Sequence, residues 1–203
     1  MCAFAVGHNL RSHPVVMQAG FEVFKLGRLV SARFECASYL PDWRPGVDYR
    51  DGYAASDSDG GIIMDDIHEL DLVASLIGSE FVKMTCLAGH SGQLELSRED
   101  SADIAMSVIY APYGYDAYEV PVTVHMDYLQ RIPVRKFSVV GVAGRLDADI
   151  LMPSLSVETS SSQTAFKFSD FDFGDTYVHE LEEFLSEARD AVADPYLGHG
   201  QVN

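Results

Sequence analysis

Positive charge is scarce in this 203-residue chain: 14 lysines and arginines stand against 31 aspartates and glutamates, a formal net charge of -17. Such a surface repels phosphate backbones and anionic lipid, so neither nucleic acid nor a membrane is expected as a partner. Cysteine is scarce too, with Cys2, Cys36 and Cys86 in no framework spacing. Disulfide stapling is therefore not expected, and buried thiols in a reducing compartment are. No apolar run reaches the roughly 18 residues of a membrane span, and Met1 to Val6 lacks a basic leader and a cleavage site, which together predict a cytoplasmic protein. No His/Cys cluster has metal-ligand spacing, and no Gly-x-Gly-x-x-Gly turn links a strand to a helix. The residues by themselves thus predict no metal and no bound dinucleotide.

What is present is a globular composition, 47% hydrophobic and 22% charged, in a chain of a size that buries about 70% of its unfolded surface. A single domain over 1–203 is expected, with a tail from 194. Residues 2–7 have a strand's composition. Pro14 opens a helix over 14–26 that Gly27 stops. Strands follow at 29–36, 81–88, 102–110, 119–130, 134–142 and 146–151, then an edge strand at 164–170 and a last helix capped by Asp175 or Thr176 and stopped by Pro195. In that helix Tyr177, Leu181, Phe184, Ala188 and Ala191 share one stripe. The fold class is α+β: a large, open, mainly antiparallel sheet with helices packed on one face and the other face free for oligomerisation. In the strand around Thr123, His125 and Asp127 the polar side alternates with Val122, Val124 and Met126, and His125 reads as a cross-strand partner for Asp or Thr. His90 and His179 read as exposed.

Two stretches carry candidate chemistry. From Gly60 to Asp71 the chain reads Gly-Gly-Ile-Ile-Met-Asp-Asp-Ile-His-Glu-Leu-Asp. Ile63, Ile67, Leu70, Ala74 and Ile77 have the spacing of a buried stripe, which predicts one helix over 62–77. Asp65 and His68 would then stand one turn apart on the opposite face, and a histidine there can move protons near neutral pH. The bland alternative is a solvated acidic face, since Asp66, Glu69 and Asp71 crowd the same segment. The second stretch, Tyr39 to Gly61, is long, aperiodic and rich in Pro, Gly, Asp and Ser. Tyr39, Trp43, Tyr49 and Tyr53 argue against disorder there; the loop either borders a site or forms an aromatic lid tied down by Arg and Asp.

The first of these stretches resembles the Asp/His helix of the Gfo/Idh/MocA oxidoreductases, in the form found among their nucleotide-sugar and sialic-acid-pathway members. Supporting matches occur in family order: Asn9-Leu10-Arg11 with His13-Pro14, Tyr39 to Gly46 with Asp48-Tyr49-Arg50, Glu99-Asp100, and His125 to Arg131. The resemblance implies that the chain is the C-terminal domain of such an enzyme, with 1–13 a remnant of the interdomain segment. It implies His68 and Asp65 as catalytic residues, with His68 taking a hydroxyl proton. Arg11, Trp43, Arg44, Asp48, Tyr49 and Arg50 become candidates for touching a sugar or sugar acid. His8 stands where relatives often carry tyrosine, and Ser12 where they carry phenylalanine. The open sheet face implies a homodimer or larger assembly.

The family's catalytic lysine, in a Glu-Lys-Pro motif, has no counterpart here. Any NAD(P) would therefore come with a separate Rossmann domain or nucleotide-binding subunit, and no dehydrogenase activity is expected of this chain alone. Three readings compete: a substrate-binding and oligomerisation domain of an NAD(P)-dependent sugar oxidoreductase, a non-catalytic sugar-binding module, and a cofactor-free acid/base enzyme using Asp65 and His68.

Overall fold

The computed structural model of the chain describes residues 4–58 and 60–193, the last four as backbone alone. Cys2, the tail from 194 and the Pro195 stop lie outside the described residues. The described chain forms an eight-stranded sheet. Its strands are β1 (Leu29–Ala37), β2 (Glu80–Gly89), β3 (Ser101–Tyr110), β4 (Tyr118–Asp127), β5 (Val134–Gly141), β6 (Gly144–Asp149), β7 (Ser154–Thr159) and β8 (Gln163–Lys167), in spatial order β2-β3-β4-β1-β5-β6-β7-β8. β1, first in the chain, lies mid-sheet, parallel to β4 and antiparallel to β5; the remaining neighbours are antiparallel. The α+β, mainly antiparallel expectation holds, but the strands are not a simple meander, because β1 is inserted between β4 and β5.

Period-two alternation decides which face is covered. Val120, Val122, Val124 and Met126 of β4 are buried, as are Ala32, Phe34 and Cys36 of β1 and Phe137 and Val139 of β5. Burying such side chains contributes about 1.5–3 kcal/mol each. Helix α1 (Pro14–Glu22), which runs on as a 3-10 turn to Leu26, packs over β6 and β7, and a helix from His68 to Leu76 packs over β1 and β4. Gly27, with φ +70, ends the first of these as expected. The opposite face shows Arg33, Asp103, Thr123, Lys136 and Arg145 to solvent. His125 sits there between Asp103 of β3 (2.8 Å) and Asp127 (2.9 Å), the predicted cross-strand contact with a second carboxylate added. Among the described residues no helix is long and apolar enough to cross a membrane.

Four expectations need correction. Residues 4–8 form no strand, since Phe4 and Val6 are exposed with no sheet neighbour, and the chain enters a 3-10 turn at Asn9–Ser12. β7 was not foreseen, because only Leu155 and Val157 point inward in a serine-rich segment. Cys86 is exposed, because β2 lies beyond the helical layer and every residue from Glu80 to Ala88 is open to solvent. On the last helix, α4 (Gly174–Ala193), the stripe containing Tyr177 and Leu181 is mostly uncovered.

His13 pins the α1 start to this frame. It is fully buried, its Nδ1 accepts the Val15 N–H at 3.2 Å as an N-cap, and its ring stands edge-on to Phe171. Burial, then the charge of Arg135, push its pKa down to about 4. The unfolded chain, with an ordinary histidine, binds the proton first as pH falls, so folding stability declines between about pH 6.5 and 4. The shift corresponds to on the order of 3 kcal/mol. In His13→Asn, which keeps a capping oxygen but does not titrate, urea unfolding across that range should lose this part of the pH slope; an unchanged slope would contradict the assignment.

Candidate functional site

The single helix expected over 62–77 is two: α2 (Ile62–Asp65) and α3 (His68–Leu76), broken at Asp66, whose backbone (φ -97, ψ 33) leaves the helical region. At the start of α2, Gly61 has φ +100, and a Cβ there would meet Glu99 Oε1 at 2.6 Å. The break turns α3 about its axis relative to the expected stripe. Of that stripe only Ile77 is fully buried; Ile67 is exposed and Ile63, Leu70 and Ala74 are half-buried, while Leu72, Val73 and Leu76 take core positions. The solvated acidic face is overturned as well, since Asp66, Glu69 and Asp71 are all buried.

The cause is a charge on the sheet's inner face. Arg135 of β5 lies beside Cys36 of β1 in register and points under the helices. It donates to both oxygens of Glu69, at 2.8 and 2.9 Å, and lies 3.5 Å from Asp66. Burial opposes the charge of Arg135, but Glu69 outweighs it and holds the guanidinium ionised. Asp66, desolvated and beside Glu69, is pushed up to about 6, and burial raises the Cys36 thiol that donates to it. Cys36, Asp66 and Glu69 converge within 4.8 Å. Arg135 supplies the positive charge there, so the trio is an ion-pair network and is assigned no metal. Sequence reasoning missed this cluster, because nothing in β5's pattern distinguishes an inward arginine.

N-terminal to the break, Asp65 accepts two phenols, Tyr53 Oη at 2.5 Å and Tyr128 Oη at 2.8 Å. Burial raises both tyrosines, Tyr53 to about 12. Trp43 stands edge-on to Tyr128 with centroids 5.5 Å apart and donates Nε1–H to Ser38, and the Arg44 guanidinium lies 5.5 Å from the Tyr53 ring. The loop folds into short 3-10 turns around a recess lined by Leu40, Trp43, Arg44, Tyr49 and Tyr53. Asp48 also borders it, but hydrogen bonds from Arg50 hold its carboxyl down to about 2, and Arg50 further reaches Glu95 at 2.9 Å. The Tyr49 hydroxyl accepts the Glu95 N–H. The structure thus gathers Trp43, Arg44 and Tyr49 at the recess and commits Arg50 to tying the loop down. Tyr53 and Tyr128 were not singled out as site residues; the alternating aromatics in this loop were the only sign of Tyr53.

C-terminal to the break, His68 is half-buried and stands edge-on to His8, centroids 6.0 Å apart. Burial, then Arg135, lower its pKa, leaving a neutral ring able to accept a proton at neutral pH. Arg11 is not aimed at the recess. It forms a two-pronged pair with Asp71, at 2.9 and 2.5 Å, next to His8. Asp65 and His68 are therefore neighbours in sequence with different partners: the carboxylate faces the tyrosines, the imidazole faces His8.

The one glycine pair near the site is not a phosphate cradle. A Cβ on Gly60 would meet the Ala54 and Ser56 carbonyl oxygens at 2.5 Å, so its open side is filled by the chain's own backbone. The N-terminus of four-residue α2 faces Glu99, whose carboxylate accepts from Ile63 N at 3.4 Å. A dinucleotide pyrophosphate does not fit there.

No family model and no curated protein matches the sequence. Solved structures do match. UDP-N-acetylglucosamine 3-dehydrogenase GnnA from Acidithiobacillus ferrooxidans aligns at 21% identity over 94% of this chain and 53% of its own, with TM-score 0.66. Levoglucosan dehydrogenase in complex with NADH and levoglucosan aligns at 15% identity over 90% and 56%, with TM-score 0.71. An inositol dehydrogenase homolog complexed with NAD+ from Azotobacter vinelandii aligns at 15% over 81% and 43%, with TM-score 0.64. The fold is that of Gfo/Idh/MocA-type oxidoreductases. This chain spans about half the length of the Gfo/Idh/MocA structures it matches, as a C-terminal domain of that fold would.

Removing the central cation should be costly. Arg135→Met leaves two buried carboxylates uncompensated, and urea unfolding should show a loss of about 3–5 kcal/mol. Adding Glu69→Leu should return part of it; a single-variant loss under about 1 kcal/mol would show that the cluster is not central.

Proposed function

We propose that this chain is the substrate-binding and proton-handling domain of an NAD(P)-dependent sugar oxidoreductase, with the nucleotide held by a separate domain or subunit. The observation that carries this reading is the Tyr53–Asp65–Tyr128 arrangement behind a Trp43/Arg44 recess, three residues from a neutral imidazole. Edge-on aromatics beside a carboxylate acceptor suit a sugar ring, whose C–H face is apolar and whose rim is hydroxylated. Asp65, now accepting two phenols, is the acceptor a sugar hydroxyl competes for. Arg44 favours a carboxylated sugar.

His68 takes the hydroxyl proton in this scheme. The hydride step is not assigned to these residues, since the Gly60–Gly61 pair, filled by the chain's own backbone and by Glu99, offers no cradle for a pyrophosphate. The polar sheet face, with Arg33, Lys136 and Arg145 interleaved with Asp103, Asp147 and Glu119, supports assembly of two or more copies through that face. One observation favours a non-catalytic sugar-binding module instead: Asp65 is engaged by tyrosines and has no hydrogen bond to His68.

Trp43 is the single tryptophan, so its fluorescence reports the recess directly. Titration with a panel of aldoses, uronic acids and nucleotide sugars should give saturable emission changes with at least one member. Asp65→Asn should weaken that binding about tenfold, as expected for losing a hydrogen bond to a charged acceptor worth about 1.5–3 kcal/mol. NADH alone at millimolar concentration should not bind in calorimetry. Saturable NADH binding would reject the separate-nucleotide reading, and no response across the panel would reject the sugar site. Solvent-deuterium incorporation into a bound sugar that His68→Ala abolishes would favour acid/base chemistry over the binding-module alternative.

A further inference from the structure

His8 has no role in the proposed function, yet its ring packs against that of the proposed base. Its ring stands perpendicular to His68 at 6.0 Å between centroids. The Nδ1 atoms of His8 and of His68 are both buried, and neither has a hydrogen-bond partner among the described residues. A buried polar atom left unpaired keeps the full cost of losing its water. Two such nitrogens on adjacent rings, not hydrogen-bonded to each other, relieve that cost if a bridging water accepts from one and donates to the other. At its other nitrogen, Nε2, His8 lies 3.6 Å from Asp71 Oδ1, and its side chain is 23% exposed. His68, His8 and Asp71 therefore follow one another from the sheltered ring toward the partly exposed one and its carboxylate.

We propose that His8 and His68 form one proton-holding pair, in which His8 passes protons between His68 and solvent with Asp71 orienting its ring. The step balances in protons alone: as His68 gives its proton to a bridging water and that water gives one to His8 Nδ1, the proton on His8 Nε2 leaves to Asp71 or bulk water, and no electrons move. His8 is thus a positioning and relay residue, which need not touch substrate. The charged groups that face the pair are Arg11, Glu69 and Asp71, Arg135 beneath, and on α4 Glu183, which acts on Arg11, and Glu180, beside Gly7. Asp71 is held by Arg11, so it braces the path without being free to swing away. This inference rests on His68 being the proton acceptor, but its test does not need the sugar.

The experiment is an NMR titration of the full chain with histidines labelled at Cε1, from pH 8.5 to 4.5, for the native protein, His8→Gln and His68→Gln. In the native protein the His68 signal should follow two steps, as a site coupled to a second titrating ring does. In His8→Gln it should collapse to one step with its midpoint raised, because a neighbouring cationic ring is gone. The signal lost in His68→Gln identifies that ring, and an unaltered His125 curve verifies the fold of each variant. Independent single-step curves in the native protein, indifferent to replacement of the other ring, would overturn the pair. Coupled titration without any Trp43 response to sugars would leave the pair standing and remove the sugar site; the reverse result would do the opposite.

Discussion

A guanidinium on the wrong side of a β-sheet sets the arrangement of this molecule. Arg135 points from β5 into the layer where Phe137, Val139 and Ala32 make the core, and a charge there is tolerated only with carboxylates brought to it. Glu69 and Asp66 supply them, and to do so the chain must break helical geometry at Asp66. The break divides the segment into two short helices whose ends point different ways. One end delivers Asp65 to Tyr53 and Tyr128; the other delivers His68 to His8 and the Arg11–Asp71 pair.

That division gives the candidate site two electrostatic characters. The aromatic side has a carboxylate whose acceptor capacity is spent on phenols, beside a recess that the aperiodic loop closes over. The imidazole side keeps a ring neutral by burial and by the nearby cation. Burial holds down the pKa of His13 and of His68, and the same Arg135 that fixes the backbone adds to it. Structure and protonation state are thus coupled through one side chain.

Much of the fold was legible because its signals are local. Alternation in Val120 to Met126 and the Pro14 start and Gly27 stop need no knowledge of the rest of the chain. The ordered matches from Asn9 to Arg131 pointed to the fold that the solved structures share. What was not legible depended on distant partners. An uninterrupted helix over 62–77 satisfies every local preference, and only Arg135, more than 60 residues away, makes Asp66 and Glu69 inward-facing. Likewise Asp65 and His68 have the spacing of a helical pair but are parted by a break that spacing cannot reveal. Tyr128, fully buried with only its hydroxyl turned to Asp65, reads in sequence as one more core aromatic.

The claim that everything else rests on is mechanical: the ion cluster fixes the chain break, and the break aims both sides of the site. It is tested by comparing proton–nitrogen NMR spectra of the native protein and Glu69→Gln, watching the Trp43 indole N–H, which touches neither Glu69 nor Arg135 but leans on Tyr128 and thus on Asp65. A displaced or broadened indole signal, together with a moved His68 ring signal in the same folded protein, is the predicted result. An indole signal left in place while the ion pair is disrupted would contradict it.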